Sequence, residues 1–154
     1  MSPYTIERDI EIAAPIEVVW RTITEPDQIR RWFSDAADID ATDGAVGTMT
    51  FEGDRTGDPL VVNIAVVAAE RPQRFAFRWI HPAGVEASPA NSVLVTFTLT
   101  AAGAERTHLR VAETGVGELD WPDDEKDRYV EQHRHGWQTH GDRLRALFEP
   151  LGSP

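Results

Sequence analysis

Residues 91–114 read NSVLVTFTLTAAGAERTHLRVAET. Val93, Val95, Phe97 and Leu99 stand at every second position before the Ala-Ala-Gly-Ala segment, and Leu109 and Val111 do so after it. Thr96, Thr98 and Arg110 take the alternate places. Period two on both sides of a turn predicts two antiparallel strands, apolar on one face and wet on the other. Such a face has to be covered, so the rest of the chain must supply more strands and an element to close over them.

Upstream, strands are predicted over 36–42, 46–52, 59–70 and 74–80, separated by Asp-Gly, Gly-Asp and Pro-Ala-Gly turns. Alternation turns Met49, Phe51, Leu60, Val62, Ile64, Val66, Phe75, Phe77 and Trp79 inward, and Arg74 and Arg78 outward. Residues 5–13, TIERDIEIA, form a further strand with Ile6, Ile10 and Ile12 inward. Arg8 shares that inward face, where it either snorkels past the core or meets a buried acid. Pro15 suits a first helical position, and Ile16, Val19, Trp20 and Ile23 follow at amphipathic spacing. Pro26 opens a second short helix that carries Ile29, Trp32 and Phe33 on one side.

Downstream, Pro122 with Asp123, Asp124 and Glu125 marks the start of a long helix running to about Glu149, the acids favouring the positive end of its dipole. The order is strand, two short helices, six strands, long helix. The expected fold is α+β, a helix-grip in which a curved antiparallel sheet wraps a long C-terminal helix, built as one domain over residues 1–154.

The totals narrow the function classes. The 154 residues carry 26 acidic and 15 basic side chains, a formal charge of −11. A phosphate backbone or anionic lipid surface would repel that field, so no nucleic-acid partner is expected. No run approaches the roughly 18 apolar residues of a membrane span. The N-terminal segment does not look like a secretory signal, so a cytoplasmic location is expected. The absence of cysteine removes disulfides, thiolate nucleophiles and cysteine metal sites.

Two terminal segments carry a family resemblance. In IEIAAPIEVVWRTITEPDQIRRWF, Ala14, Pro15, Val19, Trp20, Glu25, Pro26, Ile29, Trp32 and Phe33 match the opening motifs of the START-like (SRPBCC) superfamily, in the branch named for activators of the heat-shock-protein-90 ATPase. In HRHGWQTHGDRL, His133, Gly136, Trp137 and Leu144 match that branch's H-x-x-G-W-x-x-x-x-x-x-L signature. The resemblance implies a START/Bet v 1-like helix-grip with a cavity between sheet and C-terminal helix. Relatives use that cavity for lipids, sterols, polyketides and other hydrophobic molecules, and a few are cyclases or hydrolases. The name-giving co-chaperones have an additional N-terminal domain, so their chaperone role is not expected to transfer.

The expected partner is therefore a small hydrophobic ligand bound without a cofactor, by a monomer or homodimer. The expected lining is Trp32, Met49, Phe51, Phe77, Trp79, Val95, Phe97, Leu109, Val111, His133, Trp137 and Leu144. A co-chaperone-like module that binds a chaperone, and a cyclase- or hydrolase-type enzyme, remain the alternatives.

Candidate chemistry concentrates in EQHRHGWQTHGDRLRALFEP, residues 131–150. His133, Trp137, His140 and Leu144 fall on one helical side. His133 and His140 lie about 10 Å apart along the axis, too far to share one metal ion unaided, so no metal site is expected. His135 points elsewhere, and His135 and His140 read as satisfied or solvent-facing. Glu113 follows Leu109 and Val111 at even spacing and turns toward the helix side, where Arg8 or His133 could partner it; the competing reading is a rim carboxylate in water. If both face inward, Glu113 and His133 form the best general acid/base pair in the chain. Gly136 and Gly141, each costing a helix ~1 kcal/mol against alanine, imply close approach to the sheet or a bend.

Overall fold

The computed structural model describes residues 4–51 and 60–149. Strands β1 (Ile6–Ile12), β2 (Ala36–Asp38), β3 (Val46–Phe51), β4 (Leu60–Glu70), β5 (Arg74–Trp79), β6 (Val93–Gly103) and β7 (Arg106–Thr114) form one sheet. Helices α1 (Ile16–Thr24) and α2 (Pro26–Ile29) follow β1, and α3 (Asp123–Ala146) ends the described chain. The strand order is β1-β7-β6-β5-β4-β3-β2, with every pairing antiparallel. The sheet curves around α3 as a helix-grip. Register shifts at Val66/Ala68 in β4 and Ala101/Gly103 in β6 add residues to one strand of a pair, a device that bends strands.

The β6–β7 hairpin has the register that its alternation requires, with Phe97 opposite Val111 and Leu99 opposite Leu109. Those four side chains are buried together with Phe75, Phe77 and Val95 on the concave face. Trp32 seats α2 against α1 through its indole N–H, which donates to the Thr22 carbonyl at 2.9 Å. The α3 helix crosses β1 at Gly141, where a Cβ would come within 2.9 Å of Arg8 Nε and Ile10 Cδ1. Here glycine serves close approach. Arg8 pairs with Asp142 of α3 at 2.7 Å, so its acid comes from the helix and is not Glu113.

The boundaries differ from expectation at several ends: α2 closes at Ile29, so Trp32 and Phe33 lie in the turn after it, and α3 ends at Ala146, short of Glu149. The second strand stops at Asp38, short of residue 42, because the chain bends at 41–42 into the Asp43-Gly44 turn, the Thr42 N–H donating to the Asp40 carbonyl at 2.9 Å. Gly44 has a φ of +82°, and the Asp43 carboxylate accepts the Ala69 N–H at 2.7 Å. The fifth strand ends at Trp79, because Ile80 leaves extended geometry for a φ of +69°. The expected strand ends at 52 and 59, and Leu151, lie outside the described residues.

On the convex face, β1 and β7 carry a charge ladder. His108 contacts Glu11 at 2.7 Å through Nδ1 and Asp9 at 3.0 Å through Nε2, and Arg110 bonds Glu7 and Asp9. Hydrogen bonds to Glu11 and Asp9 raise the His108 pKa above its ordinary value. A folded-state pKa above the unfolded one gives stability that is complete below the unfolded value, about 6.5, and is lost as pH rises through the folded value. This solvated ladder should contribute roughly 0.2–1 kcal/mol. Urea midpoints for wild type and His108→Gln are expected to converge as pH rises from about 6.5 through the folded value; a constant gap would refute the linkage.

Candidate functional site: a buried carboxylate behind an aromatic pocket

Glu113 is the next-to-last residue of β7 and is fully buried. A carboxylate in that position is expensive unless its oxygens are satisfied. Here four side chains do so. Oε1 accepts from Trp137 Nε1 at 2.7 Å and faces His133 Nδ1 at 3.0 Å, while Oε2 accepts from Trp79 Nε1 at 3.1 Å and from the Tyr129 hydroxyl. Burial pushes the Glu113 pKa up, but the hydrogen bond and charge of His133, with the bonds from Tyr129 and Trp137, outweigh it and hold the carboxyl below its usual value. Burial and the adjacent Glu113 carboxylate push the Tyr129 pKa up, so the phenol keeps its proton and donates. With an ionised carboxylate opposite, His133 Nδ1 carries a hydrogen.

The structure thus places Glu113 away from the rim and beside His133. Tyr129 was missed by sequence reasoning, although its position one turn before His133 was a usable signal. Its ring stacks on that imidazole with centroids 3.7 Å apart.

In front of this hub lies a pocket of about 360 Å³. Phe33 beyond α2, Phe51 of β3, Leu60 and Val62 of β4, and Trp79 and Ile80 form its sheet side. Two neighbouring rows of α3 at spacing four form the other side: Tyr129, His133 and Trp137, and Gln132, Gly136 and His140. Phe33 is the aromatic keystone. Its ring stacks on Trp137 at 5.2 Å and Trp79 at 5.8 Å, and meets Phe51 edge-on at 5.3 Å.

Of the side chains expected to line a cavity, Phe51, Trp79, His133 and Trp137 border this pocket. Trp32, Met49, Phe77, Val95, Phe97, Leu109, Val111 and Leu144 do not border it; they are packed in the core. Alternation sorts inward from outward but carries no information on depth, and these inward positions pack directly against α1, α2, α3 or one another. His135 is exposed. His140 is the satisfied histidine of its two expected readings, not the solvent-facing one. It is partly buried in the pocket wall, and its Nδ1–H donates to the Trp32 carbonyl at 3.2 Å. Burial lowers its pKa, so the imidazole is neutral near pH 7. Among the described residues, no cluster of His, Asp and Glu is arranged to hold a metal ion. No helix among them is long and apolar enough to cross a membrane.

Residues 13–149 match the family described as activator of Hsp90 ATPase homolog 1-like protein. The chain belongs to that family. Its AHSA1-type, START-like architecture is a ligand-binding fold, and solved structures share it. Protein MLL2253 from Mesorhizobium loti is 26% identical with a TM-score of 0.71, the match covering 93% of this chain and 95% of that one. DynU16, a protein in the dynemicin biosynthetic locus, is 29% identical with a TM-score of 0.73; the match covers 99% of this AHSA1-like chain and 49% of DynU16, so this chain spans about half its length. The Aha1 dimer from Colwellia psychrerythraea, solved in solution, shares the fold at 15% identity, with a TM-score of 0.72 over 97% of this chain and 98% of that one. No curated protein matches the chain.

Proposed function

We propose that this AHSA1-like protein binds a small, flat, uncharged aromatic molecule between its sheet and α3. The observation that carries the reading is the pocket lining: aromatic rings from β3, β5, α3 and the segment after α2, no lysine or arginine among the lining residues, and a buried carboxylate already saturated by protein donors. The pocket volume of about 360 Å³ lies at the small end of the range for small-molecule sites, which suits two or three fused or linked rings better than a long acyl chain. A ligand carboxylate would find no lysine or arginine in the lining and would face the charge of Glu113 behind it. The Nδ1–H of His140 is bonded to a backbone carbonyl, which leaves Nε2 of the neutral ring as an acceptor suited to a ligand hydroxyl. The similar DynU16 lies in the dynemicin biosynthetic locus, which is in keeping with a small-molecule ligand.

Trp79 and Trp137 in the wall make intrinsic fluorescence a direct readout. Titration with 1-naphthol is expected to quench it saturably, with 1-naphthoate binding at least tenfold more weakly, a difference of about 1.4 kcal/mol. Linear, unsaturable quenching by both compounds would sink the proposal.

One observation favours a second reading. Glu113 holds His133 Nδ1 at 3.0 Å, the arrangement by which a carboxylate orients an imidazole for general acid or base work. An enzyme of the cyclase or hydrolase kind would use the remaining His133 nitrogen on a bound substrate. His133→Gln would then abolish turnover of a bound polyphenolic compound while leaving its affinity within about threefold; equal turnover would remove the reading.

A further inference from the structure

Two residues of the pocket wall are at odds with their own backbone. Gly136 stands in the middle of α3, where glycine weakens a helix relative to alanine. Gly141 in the same helix has a packing reason, the close approach of Arg8 and Ile10. Gly136 has no such reason. A Cβ there would meet nothing within 4 Å, and the position borders the pocket.

Ile80 is the opposite case. Its φ of +69° lies in the left-handed region, where glycine is at ease and a β-branched side chain is strained. An isoleucine nevertheless occupies it and borders the same pocket. Local backbone preference asks for a side chain at 136 and none at 80. The chain does the reverse at both, and what the two positions share is the cavity. Backbone choices that run against local stability concentrate where shape is needed for binding.

We propose that Gly136 and Ile80 set the size selectivity of the pocket, Gly136 leaving open the space over the middle turn of α3 and Ile80 limiting the extent of the ligand on the sheet side. The inference rests on the reading that the pocket binds a flat aromatic molecule. In that arrangement the ligand lies over Gly136 beside the Trp137 and Phe33 rings, and a methyl group or larger at 136 takes the volume that its outermost ring would fill.

The test pairs thermal melts with fluorescence titrations of 1-naphthol and the larger N-phenyl-1-naphthylamine. Gly136→Ala should raise Tm by about 2–4 °C, because the helix gains a better former and the added methyl enters open space. Gly136→Leu should weaken N-phenyl-1-naphthylamine about tenfold or more while 1-naphthol changes by less than about threefold. Ile80→Gly should hold Tm within about 4 °C of wild type, as released strain offsets lost burial, and shift preference toward the larger probe by about threefold.

A lower Tm for Gly136→Ala would make the glycine a packing requirement and overturn the inference. Unchanged probe preference in Gly136→Leu would overturn it while leaving the binding reading intact. If the wild type binds neither probe, the binding reading falls and takes the inference with it.

Discussion

Replacing Glu113 by alanine is expected to cost about 3–5 kcal/mol of folding stability, a large share of what a domain of this size possesses. The loss comes from the donors left behind. Trp79, Trp137 and Tyr129 each aim an N–H or O–H at this carboxylate, and His133 faces it with a third kind of donor. A buried donor without a partner costs about 1–3 kcal/mol, and several lose theirs at once. Glu113→Gln keeps the volume and one acceptor oxygen, but its amide group turns hydrogens toward hydrogens. It should fall between wild type and alanine. Urea unfolding followed by tryptophan fluorescence separates the cases, and an alanine variant within about 0.5 kcal/mol of wild type would show that the carboxylate is not the hub.

The same carboxylate gives the protein an acid limit. Its folded pKa is depressed, so its contribution is present above the unfolded value near 4.5 and is lost as pH falls through the folded value. Wild type should therefore lose more stability below about pH 4.5 than Glu113→Gln, which has no proton to take up there.

Trp137→Ala should be the most damaging single change on α3, at about 3–5 kcal/mol. Trp137 is buried, stacks on Phe33, lies 6.1 Å from the Trp79 ring and meets Phe97 edge-on at 5.9 Å. Its indole also supplies the 2.7 Å bond to Glu113. Trp137→Phe keeps most of the ring contact and removes the donor, and should cost about 1.5–3 kcal/mol, the value of a hydrogen bond to a charged group. Since both residues belong to one network, Glu113→Ala and Trp137→Phe should combine sub-additively by about 0.5 kcal/mol or more; strict additivity would mean that the bond contributes nothing. Probe affinity should fall with Trp137→Ala, which removes a pocket wall, and change less with Trp137→Phe.

Much of this architecture was legible along the chain. Strict alternation in 91–114 turned Val95, Phe97, Leu109 and Val111 to one face, and the same parity, carried two residues further, turned Glu113 there too. Helical spacing put His133 and Trp137 on one side of α3, and both reach Glu113. The clustering of His133, His135 and His140 in the sequence had no counterpart in space: one bonds the carboxylate, one is exposed and one bonds the Trp32 carbonyl.

Depth and partner choice were not legible. Leu109 and Val111 have the same parity as Glu113, yet they pack in the core while the pocket opens beside the other end of β5, at Trp79 and Ile80. Arg8 could have met Glu113 by parity, but Gly141 seats α3 so that Asp142 reaches the guanidinium first. Tyr129, Gln132, Gly136 and His140 became wall residues only because the helix axis lies at a particular angle over the curved sheet.

By itself, then, the sequence determined the order of elements, the inward face of each strand and helix, and the chemical identity of the groups that could meet. Periods of 2 and 3.6 residues encode direction within an element, and direction survives folding. Only the tertiary structure decided which inward residues touch, which stay apart and where space remains. Those are distances between elements, set by sheet curvature, bulges and the seating of one helix on β1, and no repeat along the chain records them.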